Sequence, residues 1–261
     1  MTPSATLSRL VALSQTLGQP AWDCVLLGEG NTSARVDDET FYVKASGAQL
    51  GTAGPEGYVR VRFAPVLELL ASDQAGDDAV TATLTAAASD PPGLRPSVET
   101  MMHAYLLSCK PTAGGQGLNF IGHTHPTAIN ALTCSQRGKE LALGGRMTPE
   151  EIAFCGPRTC WVPYSDPGLG LARAVRDSVE ACVADCSAFP RMILIQNHGL
   201  IVPGRTAEEV ETTTQIAVKA ARTLLGTMAF GGPSFLPPEE VARICTRPDE
   251  ALRLRKMGWK E

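Results

Sequence analysis

The sequence predicts an α/β protein in which helices cover the faces of a sheet, and three observations lead there. In the second half, short apolar runs alternate with longer stretches of helical periodicity, the pattern of a layered α/β domain. The length, 261 residues with 44% apolar and 19% charged, suffices to bury one full core. No internal repeat, low-complexity tract or long linker divides the chain, so a single domain over residues 1–261 is expected.

Taken in order, Leu7, Leu10, Val11, Leu13 and Leu17 fall at helical spacing within Ala5 to Leu17, and Gly18 with Pro20 ends that helix. Cys24 to Leu27, Ser33 to Val36 and Phe41 to Lys44 read as short strands, with a polar turn at Asp37-Asp38-Glu39-Thr40 between the last two. Helices are expected over Phe63 to Leu70 and Asp77 to Ala88, and Asp90-Pro91-Pro92-Gly93 forces a break. Ser97 then serves as N-cap for a helix through Leu107. Further on come a strand near Asn119 to His123, a helix near Thr127 to Cys134, a strand near Thr159 to Val162, and a long helix from Gly168 to Cys186. Met192 to Ile195 is a short apolar run, and Thr206-Ala207-Glu208-Glu209 is a capping box opening a helix to about Leu225. Pro233 to Pro238 punctuates before a last short helix.

Composition excludes some classes of function. A net charge of −4, from 23 basic and 27 acidic residues, gives no footprint for a polyanion, so nucleic acid is not expected as a partner. No apolar run approaches the ~18 residues that span a bilayer, and the first ten residues lack a secretory pattern. A cytoplasmic protein with no membrane partner is the expectation. The eight cysteines form no CxxC pair and read as reduced, mostly buried thiols.

The four histidines carry the sharpest signal. Residues i and i+2 of a strand face the same side, so His123 and His125 can present two imidazoles to one divalent ion. His198, before Gly199 where the backbone can turn sharply, is the candidate third ligand, and three histidines with an open position describe a catalytic site. The plain alternative is a pair of strand-end histidines bonded to their neighbours. Glu99 lies in the first turn of its expected helix, where the dipole favours a carboxylate whether or not it does chemistry. His103, four residues on, shares its face and either supports that carboxylate or packs.

Gly28-Glu29-Gly30-Asn31-Thr32-Ser33 superficially matches a dinucleotide fingerprint, but its sixth position is Ser and strand, not helix, follows. The Rossmann reading fails. What is left is a loop whose N–H groups and small polar side chains suit an anion, with Ser46-Gly47 and Ser97 as further donors.

Gly30-Asn31-Thr32-Ser33, Lys44-Ala45-Ser46-Gly47, Pro96-Ser97-Val98-Glu99 with His103, His123-Thr124-His125-Pro126 and Asn197-His198-Gly199-Leu200 together resemble, in order, the motifs of class II aldolases of the aldolase/adducin family. The resemblance runs over about residues 23–226 and leaves a C-terminal extension, 227–261. Val162-Pro163-Tyr164-Ser165-Asp166-Pro167-Gly168 looks most like the aldolase part of bifunctional rhamnulose-phosphate aldolase/dehydrogenase proteins. The likeness implies a three-layer α/β/α fold with a mainly antiparallel central sheet and a homotetramer with active sites at subunit contacts. It also implies zinc on His123, His125 and His198, with Mn²⁺ equally suited to three imidazoles, and Glu99 as acid/base. Asn31, Ser46, Gly47 and Ser97 match the positions that grip the phosphate. The implied activity is cleavage of a ketose 1-phosphate to dihydroxyacetone phosphate and an aldehyde through a zinc-stabilised enediolate.

Two departures matter. Val98 stands where the family's grip often has a second serine, and none of the four tyrosines (42, 58, 105 and 164) falls near 146–151, where fuculose-phosphate members carry a catalytic one. Metal-dependent decarboxylation, which needs no tyrosine on the aldehyde side, is therefore an alternative. A non-catalytic adducin-like module is another, although it would have no use for three metal-suited histidines and a carboxylate.

Overall fold

The computed structural model describes residues 2–72, 76–110, 117–186, 188–256 and 259. Among these residues eight strands form one sheet: β1 (Asn31–Arg35), β2 (Thr40–Lys44), β3 (Tyr58–Arg62), β4 (Ala88–Asp90), β5 (Phe120–Thr124), β6 (Cys160–Val162), β7 (Ile193–Ile195) and β8 (Gly199–Gly204). Their order is β4-β3-β2-β1-β5-β8-β7-β6, and every pairing is antiparallel except β6 with β7. The helices are α1 (Pro3–Leu17), α2 (Phe63–Ala71), α3 (Asp77–Ala87), α4 (Thr100–Ser108), α5 (Thr127–Thr133), α6 (Gly138–Leu143), α7 (Pro149–Cys155), α8 (Leu169–Cys186), α9 (Ala207–Thr227), α10 (Pro238–Cys245) and α11 (Pro248–Lys256).

Period-two alternation sorts the strands' side chains into two cores. Phe41, Val43, Val59, Val61, Ile121, Ile193, Ile195 and Ile201 face one way, against α2, α3, α4 and α8. Tyr42, Tyr58, Phe120, Leu194, Leu200 and Val202 face the other, against α1, α5 and α9. The fold is thus the expected three-layer α/β/α sandwich with a mainly antiparallel sheet. The capping box at the start of α9 forms as read: Thr206 Oγ1 accepts from the N–H of Glu209, whose carboxylate accepts from the N–H of Arg205.

Several elements differ from expectation. Cys24 to Leu27 is not a strand. Asp23 and Leu27 both adopt left-handed backbone (φ 54°), and the segment spends its groups on a turn from Leu26 to Glu29 and on one bond from His125 N–H to Cys24 carbonyl. Ser97 does not cap α4. Its N–H is committed to the carbonyl of Lys44 beside a bridge between Ala45 and Pro96, so the helix starts at Thr100 with Glu99 in the N-cap position. Strands β3, β4 and β8 and helices α6 and α7 had no counterpart in the sequence reading, and the last short helix is two, α10 and α11. Of the eight cysteines, only Cys24, Cys155 and Cys160 are buried, fewer than expected. No helix among the described residues is long and apolar enough to cross a membrane.

Candidate metal centre

Register brings the site together at one end of the central strands. In β1 and β5 Asn31 lies directly opposite His123, and in β5 and β8 His123 pairs with Ile201, so the tight turn from β7 into β8 carries His198 alongside. His125 follows β5 before Pro126 stops it. Two glycines make the approach possible. A Cβ at Gly199 would stand 2.8 Å from the His125 ring and 2.5 Å from the Thr124 carbonyl, and one at Gly30 (φ +65°) would stand 2.6 Å from the His123 carbonyl.

The three Nε2 atoms converge. His123 Nε2 is 3.1 Å from that of His125 and 3.3 Å from that of His198. Nitrogens sharing one tetrahedral zinc lie roughly 3.3 Å apart, so the spacing fits a single ion. At His123 the Nδ1–H donates to the carbonyl of Leu200 at 3.0 Å, which turns the Nε2 lone pair toward its neighbours. Burial, then the adjacent imidazoles, hold His123 and His125 down to about 3 against an ordinary 6.5, so both are neutral and ready to ligate. Among the described residues this is the cluster suited to a metal.

Glu99 closes the fourth side. Its Oε2 is 3.5 Å from His123 Nε2 and its Oε1 is 3.4 Å from His198 Nε2. Oε1 is buried without a hydrogen-bond partner, an orphan acceptor facing three imidazoles. A group of lone pairs turned on one another this way suits a divalent cation.

Behind the carboxylate runs a chain of hydrogen bonds whose directions are fixed. Asn31 Nδ2 donates to Glu99 Oε2 at 2.6 Å and to Ser97 Oγ at 3.2 Å, because a carboxylate requires the amide's NH₂ side. Asn31 Oδ1 must then accept from His103 Nε2–H. His103, fully buried and held by desolvation at about 3, is neutral, so its Nδ1 accepts from the Ser33 hydroxyl at 2.7 Å. His103 thus supports Glu99 through Asn31.

Ser46, Gly47 and Ser97 are also brought together. Ser46 N–H donates to the Arg95 carbonyl and Ser97 N–H to the Lys44 carbonyl, which zips residues 44–46 to 95–97. Ser97 Oγ accepts from Asn31 and from the N–H of Glu99, which leaves its own proton to give. A Cβ at Gly47 would meet nothing within 4 Å, so the turn has room for a ligand. Lys44, which the motif reading left without a role, donates to the carbonyls of Gly28 and Ala48 and ties the two loops beside this cradle; burial pulls its ammonium below its usual pKa. Val98, 51% exposed, and the exposed Leu26 and Leu27 leave apolar surface next to the site.

The stretch 146–151 is structural: buried Arg146 binds Glu151, Thr159 and the Gly156 carbonyl, fixing α7 beside β6. Tyr42 and Tyr58 are core residues and Tyr105 is half-buried on α4. Tyr164 is exposed just past β6, and its N–H donates to the side chain of Gln196, two residues before His198.

Residues 8–225 match the family described as Class II Aldolase and Adducin N-terminal domain. The chain is 28% identical over 227 residues to the Uncharacterized oxidoreductase YuxG of Bacillus subtilis, a match covering 82% of this chain but 30% of that protein. It is 27% identical over 213 residues to the methylthioribulose-1-phosphate dehydratase of Pectobacterium atrosepticum, over 80% of this chain and 88% of that one. Among solved structures, an L-fuculose 1-phosphate aldolase has the same fold, with a TM-score of 0.68 at 18% identity over 94% of this chain and 96% of that one.

Proposed function

The chain belongs to the class II aldolase and adducin family, and from that premise we propose that it is a metal-dependent carbon–carbon lyase that cleaves a ketose 1-phosphate to dihydroxyacetone phosphate and an aldehyde. The observation that carries the proposal is the Glu99 carboxylate, hung from Asn31 with its second oxygen unpartnered against the three imidazoles. His123, His125 and His198 would hold Zn²⁺ or Mn²⁺, which when bound supplies Lewis-acid stabilisation of the oxygen charge that develops as the bond breaks.

The chain's own groups do the rest. Glu99 moves the proton at the carbon that loses the aldehyde, and Oε1, not held by Asn31, is the oxygen that carries it. Ser97 O–H and the open turn at Ser46-Gly47 take the phosphate, with the Lys44 ammonium adding favourable charge beside them. Asn31 has both its amide N–H groups and its oxygen engaged, so it acts here on Glu99 instead of on the phosphate. The exposed apolar side chains at 26, 27 and 98 suit a subunit contact at the site's mouth, as in a homotetramer.

A second reading has a specific observation behind it: the Pectobacterium relative is named a methylthioribulose-1-phosphate dehydratase. There the same base would take a proton beside the carbonyl and a hydroxyl would leave as water. The deciding experiment is incubation of the metal-loaded protein with a panel of ketose 1-phosphates, followed by mass spectrometry. Dihydroxyacetone phosphate as product supports the aldolase; a product that keeps every carbon and lacks one water assigns the dehydratase. Loss of CO₂ from a keto acid with the sugar phosphates untouched would displace both.

A further inference from the structure

A second concavity lies at the other end of the same strands. A cavity of about 530 Å³ opens between the start of β5, at Leu118, and the end of β8, at Pro203 and Gly204. Leu118 lies five residues before His123, Pro203 and Gly204 lie five and six after His198, and none of His123, His125, His198 or Glu99 lines the cavity. It is therefore not part of the metal centre. Its size is within the usual range for small-molecule sites, about 300–1,000 Å³.

Its outer walls come from α10 and α11, through Ile244, Cys245, Ala251 and Leu254, and from Trp259. All lie beyond residues 8–225, the part of the chain matched to the family. Trp259 is 8% exposed, meets Phe154 edge to face with centroids 5.5 Å apart, and has the Arg191 guanidinium 5.1 Å above its ring. Its indole N–H has no acceptor. A buried donor left unpaired costs about 1–3 kcal/mol, and the described residues supply this one no acceptor. The lining points to what carries it: the Arg191 guanidinium stands over the indole ring, whereas Arg158 is already paired with Asp185 and Glu250 with Arg253. Arg191 uses an N–H on the Ala153 carbonyl at 2.7 Å, one of the five in its fork.

We propose that this cavity binds a small organic anion, with its apolar body against Trp259, Ile244 and Leu254 and its acid group on the Arg191 guanidinium and the Trp259 N–H. The ligand is distinct from the substrate, and the site does not depend on the metal.

The test is fluorescence titration of the metal-loaded full chain with anilinonaphthalene sulfonate, a probe that joins an aromatic body to an anionic group. The expected result is one saturable site per chain, unchanged by chelation of the metal and displaced by naphthoate but not by naphthalenemethanol. Ala251→Trp, which fills the cavity from α11, should weaken the probe by tenfold or more with lyase turnover and melting temperature retained. Cys245→Trp does the same from α10 should the first variant melt early. Trp259→Phe, which keeps an aromatic ring of smaller size and removes the N–H, should weaken it severalfold. Absence of saturable binding, equal displacement by the acid and the alcohol, or undiminished binding in the filled variants would each overturn the proposal.

Discussion

The two ends of β5 and β8 present opposite solutions to burying polarity. At the histidine end, Ser33, His103, Asn31 and Glu99 form one directed chain in which each donor has its acceptor, and a single carboxylate oxygen is left over, aimed at the imidazoles. At the far end a single indole N–H is left over, in a cavity walled by helices outside the matched region. One end presents a spare acceptor and the other a spare donor. The difference teaches that an unsatisfied group marks a place for something external when other groups converge on it, as the imidazoles do on Glu99 and the Arg191 guanidinium does on Trp259, whereas Thr124, Asn130 and Thr133, also left with an unpaired side-chain oxygen, carry no such reading.

The comparison can be broken most severely by removing the metal. Chelation should take lyase turnover to background, with recovery on adding zinc, and His198→Ala should fail to recover at the same zinc concentration; metal analysis beside the assay checks both. Glu99→Gln comes next, lowering turnover by about a thousandfold or more while metal content stays at the wild-type level, since the amide keeps the shape of the carboxylate but can neither take up nor release a proton. A variant with a tenth of normal turnover would move the proton-transfer role elsewhere. Asn31→Ala should cost roughly ten- to a hundredfold, chiefly in kcat, with metal content unchanged, because it frees the carboxylate instead of removing it.

A smaller effect separates the buried histidine of the relay from its neighbours. His103 is held at about 3 in the fold and returns to the ordinary 6.5 on unfolding, so between those values the unfolded chain binds a proton that the folded one refuses. Stability from this group is complete above pH 6.5 and shrinks as the pH falls toward 3, by about 2 kcal/mol between 6.5 and 5. Urea unfolding of metal-free protein at pH 7 and 5 should show a shallower loss for His103→Gln than for wild type. The smallest effect sharpens the contrast: Trp259→Phe at the far end should alter turnover by less than about twofold, as expected for distant sites that share no partner.

The sequence was legible where signals are local. The i, i+2 spacing of His123 and His125, the His198-Gly199 turn and the stripe of α1 are all short-range patterns, and each landed where expected. Cys24 to Leu27 misled because an apolar run says nothing about whether a partner strand is available. Tyr58-Val59-Arg60-Val61-Arg62 alternates cleanly and could have been found as a strand, whereas β8, with Pro203 and two glycines, could not. Of the relay, the support of Glu99 by His103 was one of two readings open in the sequence, but its route through Asn31 and Ser33 was not. Asn31 meets Glu99 across 68 residues and Ser33 meets His103 across 70, and their proximity exists only once β1 is laid beside α4.

That separation bears on how the protein assembles in time. The candidate ligands, the base and the Asn31 that holds it are spread from residue 31 to residue 198, and the strand joining them, β5, pairs backward with β1 and forward with β8. Such long-range closures are the slow part of folding, and none of the ion's binding energy is available until they are complete. The ion would then stabilise the finished sheet in proportion to its free concentration and leave partly zipped chains untouched. Metal supply would thus set how long a completed molecule lasts, while leaving the pace at which new ones form to the chain alone.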